Sequence, residues 1–148
     1  MKRKKTKLGD IFAIPLPNGT YAFGRLYKEY TLAIYKIRAE NINTIPEKDD
    51  YDFFVGVYRD VLTDGQWPVI GNIPFIDDSD SWRPPTYMKD IFTGKFSIYH
   101  YGEVKPASEQ ECKGLELTAT WDRQHLIDRL MGVPPSSIFG PEFSSFTL

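Results

Sequence analysis

Few side chains in this 148-residue chain are of a type that does chemistry: two histidines, His100 and His125, one cysteine, Cys112, and scattered carboxylates. Two imidazoles and one thiol do not complete a structural zinc site, and no pair of them falls at ligand spacing. Asp77, Asp78 and Asp80 invite a calcium reading, but their loop lacks the turn glycine and the closing bidentate glutamate of a helix-loop-helix site. Cys112 as a nucleophile would need a base beside it. Its neighbour Glu111 instead raises a thiol pKa, and a lone cysteine belongs to a residue type that is usually buried. His100 lies between Tyr99 and Tyr101 on an alternating segment, so its imidazole is expected to face away from both, toward solvent. His125 shares the polar side of a helix with Arg129 and has no evident orienting acid. The sequence holds no phosphate-binding loop, dinucleotide fingerprint or Gly-x-Ser-x-Gly elbow. Glu47, Glu103 and Glu116 remain unselected candidates for a glycosidase-type acid-base pair. These residues point to binding rather than catalysis, with no catalytic residue, cofactor or metal to name.

The elements that would display a binding surface read mostly as strands. Two apolar, aromatic-rich runs flank Asn18-Gly19 within residues 8–26, which predicts a β-hairpin with Asn18 and Gly19 at positive-φ turn positions. Pro15 and Pro17 belong at the end or outward edge of its first strand, because proline has no N–H for a ladder. Residues 27–38 continue as strand, turn near Lys28-Glu29, and strand. Residues 53–58 form a buried strand in which Gly56 suggests a bulge or a close backbone approach. Pro68 and Pro74 bracket an extended edge element. Residues 77–85 form the longest loop and are expected to project. Residues 96–101 alternate as another strand, and residues 115–119 are short and mixed but closer to strand. One helix is expected to begin near Trp121 and end near Met131: Leu126, Ile127, Leu130 and Met131 follow helical spacing, Thr120 is a reasonable N-cap, and Gly132 with Pro134 stops it. Phe139, Phe143, Phe146 and Leu148 imply that the tail packs in extended form over the body, since exposing all four is costly. The fold class is therefore α+β, mostly β: a strongly bent antiparallel sheet or a partly open SH3-like barrel with one C-terminal helix.

Composition and charge narrow the partner. Hydrophobic content of 41% and charged content of 26% are globular values, and 15% aromatic suits a β-rich core. The length fits one domain over residues 8–148, preceded by a basic, disordered tail over residues 1–7. No apolar run reaches the roughly 18 residues of a membrane span, and no signal-peptide core follows the basic start. With a single cysteine, the expected location is the cytosol. Lys2, Arg3, Lys4, Lys5 and Lys7 hold five of the 18 positive charges, so the body carries 13 cations against 20 acids. Ten of those acids lie between Glu47 and Asp90. Phosphate binding requires a basic face, so nucleic acid is not expected on the body; a basic protein surface fits it better.

Four stretches together carry a family resemblance. They are Gly9-Asp10-Ile11-Phe12-Ala13-Ile14-Pro15-Leu16 with Tyr21-Ala22-Phe23-Gly24-Arg25; Gly65-Gln66-Trp67-Pro68-Val69-Ile70-Gly71; the segment from Pro84-Pro85 to Asp90; and Gly114-Leu115-Glu116 running into Trp121 and His125-Leu126-Ile127-Asp128-Arg129-Leu130. In order and spacing the chain resembles immunity protein family 26 of bacterial polymorphic toxin and contact-dependent inhibition systems. The first stretch also looks like the opening strand of ribonuclease toxins with an SH3-like barrel. The family resemblance implies a mostly β protein without catalytic activity that binds the C-terminal domain of a cognate toxin. No membrane, cofactor or direct nucleic-acid partner is expected beside it, and the expected state is a monomer or weak homodimer. Occlusion by the acidic surface would place the toxin interface at Asp49, Asp50, Asp52, Asp77, Asp78 and Asp80, with Trp82 and Tyr87 as aromatic anchors. The alternative is a ribonuclease-like or nucleic-acid-binding SH3-like barrel. That reading rests on Arg25 for cleavage, although pairing with a carboxylate accounts for Arg25 as well, and on the Lys2 to Lys7 tail for binding.

Overall fold

Strands dominate the described residues, 5–148, of the computed structural model; Lys2, Arg3 and Lys4 of the expected basic tail lie outside them. In chain order the strands are β1 (Asp10–Pro15), β2 (Tyr21–Tyr27), β3 (Thr31–Tyr35), β4 (Tyr51–Val57), β5 (Val69–Asn72), β6 (Thr86–Lys89), β7 (Phe96–His100), β8 (Glu103–Ala107) and β9 (Thr120–Trp121). The helices are α1 (Arg59–Thr63), α2 (Glu109–Cys112), α3 (Arg123–Leu130) and α4 (Pro135–Phe139). The class is α+β, mostly β, and the described strands form two sheets rather than a closed barrel. None of the described helices is long and apolar enough to cross a membrane. Two compact units result: the first holds the chain up to Trp82 together with Thr120–Met131, and the second holds Arg83–Ala119 and Gly132–Leu148.

The first unit contains the sheet β5-β1-β2-β3-β4-β9, antiparallel except for the pairing of β4 with β9. Ile11, Phe12, Ala13 and Ile14 of β1 are all fully buried, as the unbroken apolar run predicts. The hairpin forms as expected, but Asn18 is not at positive φ. Only Gly19 is, at 84°. The Leu16 N–H donates to Thr20 O at 2.9 Å and the Gly19 N–H to Leu16 O at 3.1 Å. That leaves a three-residue loop closed by a left-handed glycine, while the Asn18 amide oxygen accepts from Thr20 N and Oγ1. Pro15 ends β1 beyond the residues paired with β5, so its missing N–H breaks no ladder bond. The proline-bracketed element, β5, is at the sheet edge, as predicted.

Several boundaries differ from expectation. Gly56 lies in regular pairing with Thr31 and Thr120, and the irregularity falls at Asp52, skipped between the Ile34–Phe53 and Tyr35–Tyr51 pairs. The predicted C-terminal helix, α3, starts two residues late: Trp121 is in β9, and Asp122 rather than Thr120 caps the helix, its carboxylate accepting from His125 N at 2.7 Å. Its stop at Gly132, φ 88°, is as expected. It is not the only helix. α1 contributes buried Val61, Leu62 and Thr63, and α2 carries a full capping box between Ser108 and Glu111.

The second unit is built on β6-β7-β8. β8 escaped the sequence reading because it is exposed and contains Pro106, tolerated there on an edge strand. Residues 115–119 are extended and joined by single bridges, Leu117 to Tyr87 and Glu116 to Thr147. The tail is not wholly extended, since α4 interrupts it. Phe139, Phe143 and Phe146 nevertheless pack together, with ring centroids 5.4 and 5.9 Å from Phe139.

Candidate protein-binding site

Arg25 is the hub of the first unit. It sits in β2 between Ile11 of β1 and Ala33 of β3 and is only 4% exposed. A guanidinium has five N–H groups. Here Nε and Nη2 donate to Ile73 O at 3.0 and 2.6 Å, Nη2 also to Pro74 O at 3.1 Å, and Nη1 to the Tyr51 hydroxyl at 3.3 Å. Nη1 also pairs with Asp49 at 3.5 Å, and the Phe75 ring lies 3.9 Å from the guanidinium carbon. Each of its three nitrogens is engaged by the protein, so the reading of Arg25 as a phosphate-facing group of a ribonuclease loses its support. Its role is to tie the segment after β5 to the middle of the sheet. Burial pushes the Tyr51 phenol up to about 12 and raises that of Tyr27 as well; the two hydroxyls lie 3.3 Å apart.

The Gly-Asp pair that opens the chain's first motif meets the same segment. Gly9 O accepts from Ile73 N at 3.0 Å, and the Asp10 carboxylate accepts from the Asn72 amide at 2.9 Å and from Lys7 N at 2.9 Å. Gly9, Asp10, Gly24, Arg25, Gly71 and Asn72 thus lie around one junction of β1, β2 and β5. These residues are scaffold, and the surface they hold in place is acidic.

Asp49 and Asp80, distant in sequence, line one recess of about 290 Å³ whose walls include Arg25, Tyr27, Phe75 and Ile76. The other four acids are not among its lining residues. Asp50 pairs with Lys36 at 3.2 Å, Asp52 is the exposed bulge residue, Asp77 accepts from Ser79 N at 3.1 Å, and Asp78 pairs with Lys28 at 2.8 Å. All six predicted acids are exposed. Their loop does not project throughout: after a single 3-10 turn over Asp78–Ser81, Ser81 is fully buried and its carbonyl accepts from Lys28 N at 2.9 Å. Trp82 is half-buried, with the Lys28 ammonium 5.0 Å from its ring centre.

Tyr87 is not on the surface that carries these acids. It lies on β6 of the second unit and is 6% exposed, because it alternates inward toward Phe96 and the bridge to Leu117. The exposed apolar residue among the acids is Ile76, which is fully accessible. Sequence reasoning passed over it because a single isoleucine before Asp77 belongs to no periodic pattern.

The residues first considered for chemistry are placed as follows. Cys112 is fully buried with its thiol directed at Ser97 O, and burial pushes that thiol up, followed by the charges of Glu111 and Glu109. His100 does not face away from Tyr101: the rings lie 3.7 Å apart, since Tyr101 has left the strand at φ 53°. His125 does have an acid, Asp122, 3.3 Å from Nδ1, although both side chains are half exposed.

A buried arginine bonded on every nitrogen and a glycine-pinned sheet thus hold a surface rich in exposed carboxylates. The model of the family Immunity protein 26 matches residues 7–97, and the chain belongs to that family. The match takes in the Gly9-Asp10 junction, Arg25 and the six acids; the stretch from Gly114 to Leu130 lies beyond it. No curated protein and no solved structure matches the chain. The family is one of immunity proteins of toxin systems.

Proposed function

We propose that this protein binds the C-terminal domain of a cognate bacterial toxin in the cytosol and neutralises it by covering its active or substrate-binding face, without catalysis of its own. The observation that supports this reading, beside the family, is the exposed set Asp49, Asp50, Asp52, Asp77, Asp78 and Asp80, of which Asp49 and Asp80 line one recess with fully exposed Ile76. A carboxylate-rich surface accelerates encounter with a basic surface, such as the substrate face of a nuclease, and rejects acidic partners. An isolated apolar side chain at that recess, with half-buried Trp82 nearby in the chain, supplies the short-range contact that charge alone does not.

Co-expression tests the neutralisation. The C-terminal domain encoded by the gene immediately upstream is expected to arrest growth alone and to be tolerated together with this protein. Growth arrest in both cases overturns the reading. Reversing Asp77, Asp78 and Asp80 together to lysine tests the surface: affinity for that domain is expected to fall by about tenfold or more and to lose much of its salt dependence. Unchanged affinity and salt dependence would place the interface elsewhere.

A further inference from the structure

The second unit carries a cleft of about 820 Å³ that none of those six acids lines. Tyr87, Phe96, Leu117 and Phe143 are among its lining residues, and Glu109 and Glu142 bring two carboxylates to it. Its other charged side chains are already engaged. The Lys89 ammonium lies 5.5 Å from the centre of the Phe96 ring, and the Asp90 carboxylate accepts from Phe92 N and Thr93 N at 2.8 and 3.0 Å. Glu109 and Glu142 are exposed and make no ion pair among the described residues.

An aromatic wall with unpaired carboxylates is complementary to one kind of side chain. Its flat cation stacks on a ring face while its N–H groups reach carboxylate oxygens, which describes a guanidinium better than an ammonium. A volume within the usual range for ligand clefts has room for an arginine and an apolar neighbour.

We propose that this cleft is a docking site for an arginine side chain, with an adjoining apolar residue, presented by the toxin domain. The inference rests on the toxin-binding reading and adds a second contact to the acidic surface. It also assigns a place for partner choice. Tyr87 and Phe96 fall inside the family match, whereas Glu109, Leu117, Glu142 and Phe143 fall outside it.

The test uses the full chain and no toxin, so its failure is separate from failure of the co-expression experiment. Acetyl-Phe-Arg-amide is titrated against isotope-labelled protein while amide shifts are followed, with the citrulline peptide as a neutral control of the same shape. The arginine peptide is expected to shift Phe96, Leu117 and Phe143 saturably and to bind about five- to tenfold more tightly than the citrulline peptide. The double variant Glu109→Gln, Glu142→Gln, which leaves the lining aromatics in place, is expected to abolish that preference. Equal binding of the two peptides, no saturable shift at these residues, or concentration-dependent shifts there without peptide, which would mark a second copy as the occupant, would overturn the proposal.

Discussion

The two units treat their strands differently. In the first, β1, β2 and β3 are buried almost residue for residue, and the segment after β5 is tied to β1 and β2 by Gly9, Asp10 and Arg25. In the second, no residue of β7 is fully buried and β8 is exposed along most of its length. Where several elements fix each backbone position, a substitution registers as lost stability. Where a strand is held only by its ladder and a few rings, a surface substitution leaves the fold standing and registers in binding. The first unit therefore acts as frame, and the second is free to vary on its exposed face.

A matched pair of glycine substitutions tests that contrast with the largest expected effect. Gly9 has φ 88°, and a Cβ there would lie 2.3 Å from Ile73 O, a backbone atom that cannot turn aside. Gly94 in the second unit also has positive φ, 71°, but a Cβ there meets nothing within 4 Å. Gly9→Ala is expected to cost roughly 3 to 5 kcal/mol, combining left-handed strain with overpacking. Gly94→Ala is expected to cost about 1 kcal/mol, the strain alone. Urea unfolding with unchanged slope measures both. Equal losses would break the distinction between the units.

The same contrast explains what could be read from the sequence. The first hairpin and the β5 edge were legible because unbroken apolar runs, prolines and Gly19 are local signals of local structure. Asp10 and Arg25 were visible as residues but not as a junction, since their partners, Asn72 and the carbonyls of Ile73 and Pro74, come from a distant segment. β8 gave no signal because an exposed edge strand needs no apolar alternation. At the candidate site the acids were found from charge density, but their placement was not: nothing local brings Asp49 to the recess that Asp80 also lines. The burial of Tyr87 was not legible because an aromatic after a loop reads the same whether it turns inward or outward.

Alkali gives an intermediate effect that bears mainly on the first unit. Burial raises the phenols of Tyr27, Tyr35 and Tyr51 there and that of Tyr87 in the second unit. A phenol whose folded pKa lies above its unfolded value of 10.0 contributes stability that is fully present below pH 10 and lost as pH rises through the folded value, about 12 for Tyr51. Unfolding free energy is thus expected to fall across that window, read by chemical denaturation at stepped pH. In Tyr51→Phe the fall should be shallower. An identical slope in the variant would mean that the Arg25 cluster does not hold these protons.

The smallest effect belongs to the tip between β6 and β7, where Ile91 and Phe92 are 87% and 91% exposed. The Asp90 carboxylate accepts from the Thr93 and Phe92 N–H groups at this tip, which holds its pKa below the ordinary 3.8. A depressed folded pKa means that this contribution is present above pH 3.8 and is lost as pH falls through the folded value. The Phe92 and Thr93 amide shifts are therefore expected to titrate together, with a midpoint below 3.8. Phe92→Ser should leave that midpoint in place, because the bonds come from backbone N–H groups and not from the ring, and should change stability by no more than about 0.5 kcal/mol. A midpoint at the ordinary carboxylate value, or one that moves with the ring, would show a tip shaped by its apolar side chains, and the second unit would then be more like the first than its exposure implies.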